Sequence, residues 1–104
     1  MIKNQKAQGD VLLTPVSGKP KGAKLSKEKR TLAFGEATGH HHSFAKDVKI
    51  YEVGNDLRRW ICLKEEEILV HQEHGEVVVE PGWYVYDPQV ELDPFTGLSR
   101  RVLD

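Results

Sequence analysis

Val48-Lys49-Ile50-Tyr51-Glu52-Val53-Gly54-Asn55-Asp56-Leu57-Arg58-Arg59-Trp60-Ile61-Cys62-Leu63 reads as two strands joined by a turn. The first part is rich in β-branched and aromatic residues, and Gly54-Asn55-Asp56 carries turn chemistry. Side chains on a strand alternate between faces. From Leu57 to Leu63 this puts Arg58, Trp60 and Cys62 on one side, and Leu57, Arg59 and Ile61 on the other. The hairpin sets a period of two that recurs along the chain.

Upstream, Gly9-Asp10 reads as a turn before the apolar run Val11–Val16, in which Pro15 marks an edge or an end. Thr31–Phe34 is a further strand, interrupted at Gly35. Downstream, Ile68–Glu73 is a strand, broken at His74-Gly75 and resumed at Glu76–Glu80. Pro81-Gly82 is a turn, Trp83–Tyr86 a strand, and Asp87-Pro88 and Asp93-Pro94-Phe95-Thr96-Gly97 are turns. Leu98–Leu103 supplies a closing strand. A helix is expected, if anywhere, over Ser26–Ala33 or Lys64–Leu69, segments too short to stand alone. The fold class that follows is all-β: one domain over residues 1–104, a small barrel or two-sheet roll of about eight short strands.

Composition agrees with that size and narrows the function classes. The 104 residues suffice for one domain, and 30% charged against 38% hydrophobic residues fits a soluble globule. No apolar run approaches the roughly 18 residues of a membrane span. The basic start leads into no signal-peptide core, so the expected location is cytoplasmic. Cys62 is the only cysteine, which excludes a disulfide framework and a cysteine-based zinc knuckle. It reads as a small packing residue. Trp83, Tyr84 and Tyr86 read as sheet packing, and Glu65-Glu66-Glu67 as a solvated turn.

Charge is uneven. Residues 1–30 hold eight Lys/Arg against Asp10 and Glu28, a net +6, and the remainder is −7. Residues 17–30 read as a basic exposed loop. No aromatic residues interleave its lysines, and the rest of the chain is acidic, so nucleic acid is disfavoured as a partner.

The five histidines, all between residues 40 and 74, are the chemical signal. In Gly39-His40-His41-His42-Ser43-Phe44, an extended backbone puts His40, His42 and Phe44 on one face and His41 and Ser43 on the other. Phe44 prefers the interior, so His40 and His42 point inward with it. Residues two apart on a strand lie about 6–7 Å apart, close enough to reach one ion, and Gly39 lets the chain bend before them. In Ile68–Gly75, Leu69, His71 and Glu73 share one face, and His74 sits at the turn. The expected site is a divalent-metal pocket. His40, His42 and His71 are first ligands, and Glu73 and His74 compete as fourth ligand or general base. Zn, Fe, Mn and Ni all suit such a set. No reaction is named by these residues; any chemistry would be metal-dependent, through a bound water of lowered pKa.

Two resemblances attach to the same residues. The layout Gln8-Gly9-Asp10-Val11-Leu12-Leu13, Gly35-Glu36-Ala37-Thr38-Gly39-His40-His41-His42, His71-Gln72-Glu73-His74-Gly75 and Pro81-Gly82-Trp83-Tyr84 resembles a group of small bacterial and phage-encoded proteins of uncharacterised function. That resemblance marks Gly39, His40, His42, His71, Glu73 and His74 as the positions to watch. His40-x-His42 with Glu80-Pro81-Gly82 is also similar to the cupins, small β barrels, and implies architecture alone. The rival reading is a non-catalytic interaction or assembly protein, phage-related, whose histidines are structural. Its homo-oligomer would form through edge strands such as Val11–Val16 or Leu98–Leu103.

Overall fold

A computed structural model describes residues 5–34, 40–92 and 99–101. Twelve strands run through them: β1 (Lys6–Gln8), β2 (Val11–Val16), β3 (Lys24–Leu25), β4 (Thr31–Phe34), β5 (His41–Phe44), β6 (Lys49–Glu52), β7 (Arg59–Leu63), β8 (Glu67–Val70), β9 (Val77–Val79), β10 (Gly82–Tyr86), β11 (Val90–Leu92) and β12 (Ser99–Arg101). Ten form two antiparallel sheets, one in the order β1-β2-β10-β7-β6-β3 and one in the order β4-β5-β8-β9. β11 and β12 pair as a separate hairpin. The all-β class and the two-sheet roll hold. The sheets do not close, so the barrel alternative is corrected: the four-stranded sheet ends at β4 and β9 instead of joining the larger one.

The β6–β7 hairpin forms as its sequence dictates. Gly54 takes a positive φ of 43°, and the Asp56 N–H donates to the Val53 carbonyl at 2.8 Å. Ile50 pairs with Ile61 and both turn into the core, with Leu63 beside them. Trp60 and Cys62 take the opposite face. The core lies between the sheets. Val11, Leu13, Ile50, Ile61, Leu63, Tyr84 and Tyr86 from the larger sheet meet Leu32, Phe44, Leu69 and Val79 from the smaller. Phe44 is almost fully buried there, which contributes about 2–3 kcal/mol.

Several expectations change. Neither Ser26–Ala33 nor Lys64–Leu69 is helical. Leu32 belongs to β4, and Glu67–Leu69 pair with β9 instead of coiling. The loop at 17–30 carries β3, which pairs with β6, and Ser26 is buried. The strand expected over Ile68–Glu73 stops at Val70. Val11–Val16 is not an edge strand, being flanked by β1 and β10. The proposed bends at Gly35 and Gly39, the turn at 93–97, and Leu98, Val102 and Leu103 of the closing strand lie outside the described residues. Among those described, no helix is long and apolar enough to cross a membrane.

Candidate functional site

β5 follows the alternation rule. Phe44 enters the core and His42 is buried on the same side. Beyond the end of β8, His71 accepts hydrogen bonds at Nδ1 from the backbone N–H groups of Glu73 (3.0 Å) and His74 (3.2 Å). That side-chain bond replaces the next rung of the ladder, bends residues 72–74 and ends the strand. The bend carries His74 back onto the β1–β2 turn. Gly9 there has φ +58°, and the Nε2 of His74 lies 2.5 Å from where a Cβ on Gly9 would stand. A glycine is needed twice over, for the left-handed backbone and for the ring above it.

Four imidazoles therefore gather, with His71 at the hub. Its ring centroid is 4.2 Å from His42, 4.7 Å from His74 and 5.6 Å from His40. His42 and His74 lie 6.1 Å apart, nearly parallel. Two carboxylates border the group. Glu73 Oε1 is 3.4 Å from His40 Nδ1, and Asp10 Oδ1 is 3.5 Å from His42 Nε2. His40, His42, His71, Glu73 and His74 thus all fall in one place. His41 turns away, hydrogen-bonded to Ser43 Oγ at 2.8 Å, while its backbone N–H donates to Gln72 Oε1 at 2.8 Å.

Gln8, like Asp10, is a residue the sequence did not mark for this site. From β1 it reaches across to the other sheet, where Nε2 donates to the carbonyls of Leu69 (2.9 Å) and Gly75 (3.0 Å). Both amide protons are then committed, so Oε1 faces His42 Nδ1 at 2.9 Å as an acceptor, and His42 must donate. The consequence is a fixed tautomer: His42 keeps its proton on Nδ1 and presents a lone pair at Nε2, toward Asp10. His71 has the opposite tautomer, since its Nδ1 is an acceptor and the proton sits on Nε2.

Charge on His42 and His71 is disfavoured. The His42 pKa is pushed down to about 4, by burial first and then by His71 and His74, with Asp10 opposing them. His71 is also lowered, by desolvation first and then by His74 and His40, against Glu73 and Asp10. With His42 and His71 held neutral beside the carboxylates of Asp10 and Glu73, the inner pocket suits a cation better than an anion. Among the described residues, no three His, Cys, Asp or Glu groups are already arranged to hold a metal ion. The rings meet His71 tilted or edge-on, and two of the ring nitrogens are committed to Gln8 and to the 72–74 bend.

A cavity of about 540 Å³ lies elsewhere, among Leu25, Val48, Lys49, Cys62, Leu63 and Lys64. None of the histidines lines it.

The chain belongs to the family described as Domain of unknown function (DUF8820), whose model matches residues 7–89. That span takes in Gln8, Asp10 and all five histidines. No curated protein and no solved structure matches the chain.

Proposed function

We propose that this member of a family without an assigned role acts through a divalent-cation pocket built on His42. The observation that carries the reading is the pair His42 Nε2 and Asp10 Oδ1. Two lone-pair atoms face each other at 3.5 Å, with the only ring proton of His42 held at the far nitrogen by Gln8. Such a pair is repulsive unless something positive sits between. Two ligand atoms on one tetrahedral ion stand about 3.4 Å apart, so the spacing suits a small divalent metal. The Nδ1–H bond to Gln8 is also the kind of outer contact that fixes a metal-bound histidine.

A third ligand has to come from a ring that turns. His74 suits this best: it lies over Gly9, next to Asp10, and its ring makes no hydrogen bond to another described residue. His40 and Glu73 stand on the far side of His71, paired with each other. His71 is bound to its own bend and serves as a wall of the pocket, its ring tilted against His42 and His74. The ligand set then centres on His42, Asp10 and His74, while the His40–Glu73 pair, beyond His71, borders the pocket. Zn, Fe, Mn and Ni remain the candidate ions. Bound with an open position, such an ion would supply a water of lowered pKa.

The test is elemental analysis and calorimetry on the full chain purified without a polyhistidine tag. Near one equivalent of Zn or Mn is expected for the wild type and for His41→Ala, and none for His42→Ala. Equal binding by wild type and His42→Ala, or no binding by the wild type, overturns the reading.

A further inference from the structure

We infer that the outer face of the six-stranded sheet binds a short stretch of single-stranded nucleic acid. The basic N-terminal third contains no interleaved aromatic residues, but the fold brings aromatic rings to it. Strand register places Lys49, Cys62 and Trp83 side by side across β6, β7 and β10, and Tyr51, Trp60 and Val85 in the next row. Both rows lie opposite Ile50, Ile61 and Tyr84, and so face away from the core. Tyr51 and Trp83 touch diagonally, with ring centroids 5.5 Å apart.

The cations stand at these rings. Lys19, from the basic loop, places its Nζ 5.6 Å from the Tyr51 centroid. Arg58 lies 5.0 Å from the Trp60 ring. Lys49 is exposed beside Cys62. Of these, Arg58 is already paired with Asp56 at 2.7 Å and lies near Asp87, which leaves Lys19 and Lys49 for an incoming anion. Leu25 of β3, 58% exposed, extends the apolar surface next to Tyr51. The cavity of about 540 Å³ at the foot of the same face is lined by Asp47, Glu65 and Glu67 as well as by Leu25, Lys49 and Cys62, so the strand's path runs over Tyr51 and Trp83 and not into it.

Trp60 is buried, 6% exposed, beneath Arg58, so the half-buried rings of Tyr51 and Trp83, with the exposed Lys19 and Lys49 beside them, are what match the two demands of a single strand. Any base can stack on an aromatic face, and the phosphates need cations spaced along it. Sheet-borne aromatic residues hold two or three bases in this way in other proteins. An acidic peptide would use the lysines and leave the rings idle. A duplex would keep its bases stacked on one another.

The experiment titrates the tag-free chain into fluorescein-labelled 12-mers of dT and rU, following anisotropy and tryptophan fluorescence. Quenching is expected with both polymers. Two phosphate contacts predict a roughly 25-fold loss of affinity across a tenfold rise in salt. Trp83→Leu should bind at least about fivefold more weakly; if it fails to fold, Tyr51→Leu takes its place. Lys19→Gln with Lys49→Gln, both at exposed positions, should flatten the salt dependence. No anisotropy change at low salt overturns the inference. So does binding that the aromatic variant leaves unchanged, or equal competition by polyglutamate or by duplex DNA.

Discussion

Gln8 and His42 belong to different sheets and share one buried hydrogen bond of 2.9 Å. Through the same amide, Gln8 also holds the carbonyls of Leu69 and Gly75. One side chain thus joins the sheets and sets the tautomer of the ring at the centre of the site. Replacing it with Leu leaves buried polar groups without partners, at about 1–3 kcal/mol for each that water cannot reach. Gln8→Leu is expected to lose on the order of 2–4 kcal/mol in urea denaturation. Its cation affinity should fall about 10–100-fold by calorimetry, as for other losses of an outer-sphere partner. Unchanged affinity in a folded variant would remove Gln8 from the site.

The acid limb of the stability curve should carry the signature of His42. Its pKa is about 4 in the folded chain and about 6.5 in an unfolded one. As pH falls through that window the unfolded state takes up a proton that the folded state refuses. Stability is therefore constant above about 6.5 and declines toward about 4, by on the order of 1–3 kcal/mol in cation-free protein. Urea midpoints measured across this range, and ring proton shifts in NMR, check it. His42→Asn should flatten the slope, and a His42 resonance titrating near 6.5 would contradict the prediction.

The alkaline limb should answer to Tyr86. Burial, with Asp10 and Asp87 nearby, pushes its phenol up to about 12. Ionisation is easier in the unfolded chain, near 10, so stability is lost as pH rises from about 10 to 12. Absorbance at the phenolate band should show one tyrosine titrating last. In Tyr86→Phe that late step disappears.

Gly9 and His74 should behave as a coupled pair. Gly9→Ala forces a side chain into a left-handed backbone, at about 1–2 kcal/mol, and drives a methyl group into the imidazole. Gly9→Asn tolerates the backbone better but meets the same ring. Removing the ring with His74→Ala should recover part of the loss in either background. A double-mutant cycle is expected to give a coupling of about 0.5–3 kcal/mol; additivity would mean that the ring rests elsewhere.

Much of the fold is legible because its signals are local. The alternation from Leu57 to Leu63 placed Ile61 opposite Trp60 and Cys62, and that is how β7 sits. Phe44 pointed His42 inward by the same rule. The five histidine and glutamate positions were legible as two clusters, and the antiparallel pairing of β5 with β8 brings the clusters together. What could not be read is non-local. Gln8 and Asp10 lie more than thirty residues from His42, and a glutamine in a short edge strand gives no local hint of the carbonyls it will meet. The end of β8 at Val70 was hidden for another reason. Periodicity continued through His71 and Glu73, but a ring nitrogen captured two backbone N–H groups and turned the chain away. The helix expectation at Lys64–Leu69 yielded to a neighbour, since β9 offers that segment a ladder.

The close approach at Gly9 carries an evolutionary consequence. Within the family, a relative that gains a side chain at position 9 should have traded the imidazole at 74 for something smaller. A relative without an amide at position 8 should also have changed the residue at 42. Such paired exchanges, sought among sibling sequences, would record the architecture of the pocket as covariation.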